Sequence, residues 1–356
     1  MGSKPMLFWD TKTILTYMEP NFRFNLALKI PLIQTAEKSA PLIINRLELH
    51  DNRLVINRTE YRMKVWRECK ADAGLDNGEV DDDSDEYGDQ TSIDESIQPG
   101  DIKLVYDGNR CRPNRWLGYV CPEKVYSLPC NHSIRLYVSD TMYEFPYTNM
   151  KMHHLIGRLL TIFIGNRNGE WTIRKIKLKN KILRWPANGR KPIIRHAKIG
   201  EYSPYKLNGL QSIINTSVPL TILKTSRSKY EDRISDHSFL KNVKHLIISD
   251  GTDFFYRSNV LSIQIPFVSI TTPTSLENNL KGLIKTFMRR TRPTGVCFYI
   301  RTRSKMNLNR INHRDVLRKS TDRMRLRMGS EAVVDVQYKE IESKLWLTIK
   351  TVPKQR

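Results

Sequence analysis

PLTILKTSRSKYEDRISDHSFLKNVKHLIISDGTDFFYRSNVLSIQIPFVSITT, residues 219–272, is the stretch that decides the fold. Three short apolar runs stand in it: PLTILKT, VKHLIIS and PFVSITT. Their central residues are Leu223, Leu246 and Val268, separated by 23 and then 22 positions. Each run is short and carries β-branched residues, so each predicts a strand. The even spacing predicts one strand and one return per unit, a repeat in which neighbours bury a shared core.

That period falls inside the roughly 20–29 residues of a leucine-rich repeat, although the asparagine ladder of the consensus is missing. Working outward, IRLYV and WTIRKIKL read as further strands on the N-terminal side. On the C-terminal side Leu276, Leu280, Leu283, Ile284, Phe287 and Met288 fit an amphipathic helix. Val334, Val336 and Tyr338, then Leu345, Leu347 and Ile349, alternate as two closing strands, and Pro353 stops the second. Before the repeats, PLIINRLELH, RLVINRTE and YRMKVW form an antiparallel meander from Ile43 to Trp66, with Asp51-Asn52 at its first turn. Earlier still, residues 10–30 read as two short helices, one capped by Asp10 and the other by Asn21. Ile14, Leu15 and Met18 share a face of the first. Helices this short cannot stand alone in water, so they must dock on the chain or on a partner.

Composition bounds the rest. The 356 residues hold 59 Lys or Arg against 37 Asp or Glu, a formal charge of +22. No run approaches the roughly 18 apolar residues of a membrane span. The start, MGSKPMLFWDTK, has no apolar core of a signal peptide. Five cysteines in a chain of this length make no disulfide framework. An intracellular protein, cytoplasmic or nuclear, is expected, with no membrane partner. Charge is uneven. Twelve acids and no Lys or Arg occupy residues 72–101, whereas fifteen bases face only Asp315 and Asp322 between Lys281 and Arg327. The acidic run reads as a solvated loop, or as a cover for the basic surface.

Chemistry is sparse. Cys111, Cys121, Cys130 and His132 contain no Cys-x-x-Cys pair, so no metal and no cofactor is expected. Phosphate-loop, dinucleotide and nucleophile-elbow motifs are all missing, and GNRNG (Gly165 to Gly169) reads as a turn. No catalytic residue emerges. The basic tract interleaves Arg289, Arg290, Arg292, Arg301 and Arg303 with Phe298 and Tyr299, which admits nucleic acid as a partner. A merely solvated basic face is the first reading of those residues, and an acidic protein partner stands beside nucleic acid as a functional one.

WDTKTILTYMEPNFRFNLALKIPLIQTAEKSAPLIINRLEL resembles the opening of a large nematode-expanded family with an F-box-like segment and an associated uncharacterised domain. Trp9, Asp10, Ile14, Leu15, Met18, Glu19, Pro20, Asn21 and Arg23 carry that likeness. Lys29-Ile30-Pro31, Ala40 to Ile44, DEYG (Asp85 to Gly88), QPGDI (Gln98 to Ile102), LENNLKGLIKTFMRRTRPTGVCFYI and LWLTIKTVP extend it along the chain. The resemblance implies a non-enzymatic substrate-recognition subunit of a cullin ubiquitin ligase. It would dock a Skp1-type adaptor through Ile14, Leu15, Met18, Pro20 and Phe24, and present an unknown protein substrate. Otherwise the same residues simply cap the meander; a basic nucleic-acid-associated protein is the second functional reading. The expected fold class is α+β. Residues 1–42 are an F-box-like helical segment and 43–70 a β-meander. Residues 71–98 form an acidic disordered loop, and 99–356 a repeat-like α/β interaction domain.

Overall fold

Glu19-Pro20 divides the first two helices in the structure, a computed structural model that describes residues 7–68, 78–81, 83, 96–105, 131–146, 151–226, 237–249, 264–274, 280–289 and 291–354. Helix α1 is Phe8–Tyr17 and α2 is Pro20–Lys29. Pro20 sits at the first turn, where its fixed φ suits a helix and its missing N–H costs nothing. Glu19, not Asn21, is the cap: its carboxylate accepts from the Asn21 and Phe22 amides. Asn21 is instead buried, donating to the Ile56 carbonyl and accepting from the Tyr61 hydroxyl. Likewise Asp10 lies inside the first turn of α1, whose cap position falls three residues earlier than expected, at Leu7. A 3-10 turn at Pro31–Ile33 leads to α3, Gln34–Ser39. Six residues are too few to print a helical period, so α3 was not visible in the pattern.

The chain divides into two compact units, residues 1–194 with 209–215, and residues 195–208 with 216–356. In the first, β1 (Leu42–Leu49), β2 (Arg53–Ile56) and β3 (Thr59–Glu68) form the expected antiparallel meander. Asn57, at φ 56°, makes the second turn and breaks RLVINRTE in two. Strands β4 (Gly78–Val80), β6 (Asn131–Val138) and β7 (Thr141–Pro146) extend the sheet beyond β3, while β5 (Ile102–Lys103) pairs with β9 (Ile182–Leu183). After α4 (Met152–Ile164) comes β8 (Trp171–Leu178), which lies parallel to β1. The GNRNG turn links the two. Gly169 is required there, because a Cβ would collide with the Ser39 carbonyl.

From residue 193 onward, β10 (Ile193–Glu201), β11 (Leu220–Ser226), β12 (Val243–Ser249), β13 (Phe267–Thr274) and β14 (Cys297–Thr302) run parallel, with α5 (Pro204–Ile213) and α6 (Leu280–Met288) as helical returns; all but the first two residues of β10 and the second half of α5 belong to the second unit. Antiparallel strands β18 (Lys344–Pro353), β17 (Ala332–Ile341), β16 (Arg323–Met328) and β15 (Val316–Lys319) continue from β14. The fold is mixed α/β. Leu223, Leu246 and Val268 fall in register on three adjacent strands, and the row continues to Phe298, Ile349, Val336 and Met324, all buried.

A six-residue burial pattern recurs on the parallel strands. Leu220, Leu223 and Thr225 are buried, as are Val243, Leu246 and Ile248, then Ile265, Val268 and Ile270. Ile44, Leu47 and Leu49 follow the same one-four-six spacing on β1, and Ile173, Ile176 and Leu178 follow it on β8, paired residue for residue. The fourth and sixth positions share the inner pleat because side chains alternate with period two. The first, an odd step away, is buried where the chain enters β11, β12 and β13, while in β1 and β8 it lies inside the strand.

Candidate functional site

The helical head separates buried from exposed apolar residues differently from its sequence pattern. Leu15 packs with Ala36 and Ala40, against which Met18, Leu26 and Ile33 rest. Phe24 stacks on Phe163 of α4 with ring centroids 5.1 Å apart, and Tyr61 tilts against the same ring at 5.0 Å. Pro20 is buried too. Leu15, Pro20 and Phe24 are therefore not an outward anchor. They are covered because α1 meets the chain through Thr11 and Leu15, one turn apart, and α2 through Phe24 and Ala27. Ile14 is exposed and Met18 half-buried.

The head exposes apolar residues other than the expected set, Ile14 excepted. Among the described residues eighteen large hydrophobic side chains are exposed, and ten of them lie between Leu7 and Ile43. Trp9 is 68% exposed, Tyr17 87%, Phe22 60% and Leu32 93%. Scattered exposed apolar residues are ordinary, but a concentration in about a tenth of a chain marks an interaction surface.

The motif residues beneath this surface do structural work. Arg23 lies in the protein interior and donates from Nε to Glu37 at 2.9 Å, and from its two terminal nitrogens to the Leu15, Pro41, Glu37 and Ala40 carbonyls. Arg167, from the GNRNG turn and 0% exposed, donates to the same Glu37 carboxylate and carbonyl. Lys38 donates to the Ile162 and Phe163 carbonyls that end α4. One carboxylate thus balances two buried guanidiniums and a half-buried ammonium. The likeness in residues 9–23 thereby includes a cap (Glu19), a polar bridge (Asn21) and an ionic hub (Arg23). Arg167 could not be anticipated, since 130 residues separate it from Glu37.

Burial lowers the Lys38 ammonium to about 8, the Glu37 charge only partly offsetting it. Between about 8 and the ordinary 10.5 the unfolded chain keeps a proton that the folded chain has released. Stability contributed at Lys38 therefore rises with pH across that window. Urea midpoints of the protein and of Lys38→Met should diverge in favour of the former from pH about 8 to about 10. A constant difference would contradict this placement of Lys38.

The five arginines of the basic tract do not form one patch. Arg292 is buried against Phe287, its guanidinium 4.3 Å from the ring centroid, and donates to the Phe287 carbonyl. It is therefore a core residue and not a phosphate contact, because the adjacent proline and strand turn it inward. Arg301 is half-buried and donates to the Thr271 carbonyl, Arg289 and Arg303 are exposed, and Arg290 lies outside the described residues. Part of the acidic run is anchored as well. Glu79 on β4 pairs with Lys64 at 3.3 Å and accepts from Tyr137, and Asp83 caps α4 through the Met152 and His153 amides. Burial alone would raise the Asp83 carboxyl, but hydrogen bonds from His153 and Met152 outweigh it and hold it low. These acids are ordered because cations and a helix start lie within reach; residues 84–95 lie outside the described residues.

Among the described residues no group of three or more His, Cys, Asp or Glu could hold a metal. Cys111, Cys121 and Cys130 lie outside them. Cys297 is buried, and burial pushes its thiol up, away from the reactive thiolate. A cleft of about 130 Å³ is lined by Trp171 and Trp185, whose rings are parallel at 6.0 Å, and by Arg190 and Lys191. It is smaller than the roughly 300–1,000 Å³ of ordinary ligand sites. No described helix is long and apolar enough to cross a membrane.

Fold and surface define a mixed α/β protein whose opening helices hold a buried ionic hub beneath an apolar outer face. Residues 150–304 match the model of a family described as a domain of unknown function, DUF3557. The match spans α4 to β14, so it takes in the repeating strands and leaves out the head and the closing antiparallel strands. No curated protein and no solved structure matches the chain.

Proposed function

We propose that the protein is a non-enzymatic recognition subunit of a cullin ubiquitin ligase. The head docks a Skp1-type adaptor, and the leucine-rich-repeat-like strands present a protein substrate. One observation carries the reading: the exposed apolar side chains concentrate on the segment whose sequence resembles an F-box start. Trp and Tyr are the commonest residues of binding hot spots, and Trp9, Tyr17 and Phe22 project into solvent where folding alone has no use for them. The one-four-six burial pattern supports the repeat-like description of the remainder, since it matches the Leu-x-x-Leu-x-Leu core of such repeats. The excess of positive charge favours a second reading, a nucleic-acid-associated protein.

Affinity purification of the tagged full chain, with and without nuclease, separates the two. The adaptor should co-purify equally under both conditions and be lost on Trp9→Ser with Tyr17→Ser and Phe22→Ser. Recovery of nuclease-sensitive RNA or DNA without an adaptor would replace this reading with the second.

A further inference from the structure

The positions that alternate with the core row on the second unit's parallel strands form two further rows, open on β10 to β12 and closing toward β14 and β18, where Ser269, Cys297 and Thr348 are buried. His196, Ile222, His245, Phe267, Cys297 and Lys350 stand in register from β10 to β18. Lys198, Lys224, Ile247, Ser269, Tyr299 and Thr348 form the next row. Neither row holds a carboxylate. Beyond them on β17, Asp335 is spent on Arg323, at 2.7 and 2.8 Å, and faces Arg325 at 3.6 Å.

Ile222 and Ile247 are half-exposed between the bases, and Phe267 is exposed beside His245, ring centroids 6.3 Å apart. A second, independent feature lies on β18. The Trp346 indole N–H and the Thr348 hydroxyl are buried, and neither has a hydrogen-bond partner among the described residues. They pair in register with Arg301 and Tyr299 on β14, so both belong to this face. An unmatched buried donor costs stability unless a ligand supplies its acceptor.

We infer that this face binds an extended acidic peptide segment whose carboxylates meet Lys198, Lys224 and Lys350 and whose apolar side chains rest on Ile222, Ile247 and Phe267. The inference rests on the substrate-recognition reading and names the chemistry of the substrate. Complementary charge supplies the attraction: among the described residues Lys198 and Lys224 have no carboxylate in register beside them, and Asp335, opposite Lys350, is shared with Arg323 and Arg325. Half-exposed isoleucines distinguish a peptide from a polynucleotide, which has stacking faces and phosphates but no aliphatic side chains to bury. Six strands span roughly 24 Å, about seven residues of extended chain, enough to place alternating carboxylate and apolar groups on both rows.

A random-peptide phage library selected on the immobilised full chain tests this without the adaptor. The enriched peptides should carry Asp or Glu interleaved with apolar residues. As free fluorescent peptides they should bind about tenfold or more weakly to Lys198→Glu with Lys224→Glu. Phe267→Ser, a change at an exposed position that leaves the charges in place, should weaken them as well. Arg314→Glu with Lys319→Glu, outside the face, should not. Absence of enrichment over the bare support, enrichment of neutral or basic peptides, or unchanged affinity in the first variant would overturn the inference. So would a labelled oligoadenylate that binds this face more tightly than the peptides do. Adaptor co-purification is read separately, so loss of peptide binding with adaptor retained defeats this inference alone.

Discussion

Replacing Glu37 by Ala is expected to destabilise the first unit by about 3–5 kcal/mol, because it strips the counter-charge from two buried cations. Arg23 is 1% exposed and Arg167 0%, and both aim guanidinium donors at that one carboxylate. Neither can reach water without opening the packing of α2, α3 and the turn after α4. The carbonyls around Arg23 would still accept its N–H groups, but they cannot supply a unit negative charge. Much of the loss should be the orphaned charge and not the missing contact. Adding Arg167→Met to Glu37→Ala should therefore restore part of the stability, although it removes a second polar group. Urea denaturation read by tryptophan fluorescence gives the comparison. A loss below about 1 kcal/mol for the single variant, the range of an exposed pair, would show that the hub is solvated.

Phe24→Ala is the second large effect, at about 3–5 kcal/mol for a buried aromatic emptied to a methyl. Its ring faces Phe163 at an interplanar angle of 17° and lies 5.8 Å below the Arg167 guanidinium, so the cavity would open between α2, α4 and the hub. Phe22 is two residues away and 60% exposed. Phe22→Ala should change stability by no more than about 0.5 kcal/mol. The contrast assigns each side of α2: one ring holds the unit together, the other is free for a partner. Equal costs at the two positions would contradict that division.

Much of the strand framework could be read from the sequence. WTIRKIKL and VKHLIIS coincide with β8 and β12, and the spacing of Leu223, Leu246 and Val268 anticipates their register, because a repeated core position leaves a periodic trace. Strand β10 was missed, since Arg195, His196 and Lys198 interrupt its buried Ile194, Ala197 and Ile199. The faces of the head were harder to assign. In α1 the apolar spacing groups Ile14 with Leu15, but burial divides them, and only the position of α3 decides which one is covered. The ionic hub was illegible for a different reason. Charged residues ordinarily read as solvated, and nothing local distinguishes Arg167 in GNRNG from a surface turn residue. Arg292 misled in the same way, its charge hiding a place in the core against Phe287.

Isothermal calorimetry of the purified full chain against a purified Skp1-type adaptor tests the central claim most directly. The account predicts saturable binding of one adaptor per chain. Binding should be abolished by Trp9→Ser with Tyr17→Ser and Leu32→Ser at a nearly unchanged thermal midpoint, since those side chains are largely exposed and Trp9 touches only Phe8 and Lys12 of its own helix. Retained binding in that variant, or none in the unaltered protein, would contradict it.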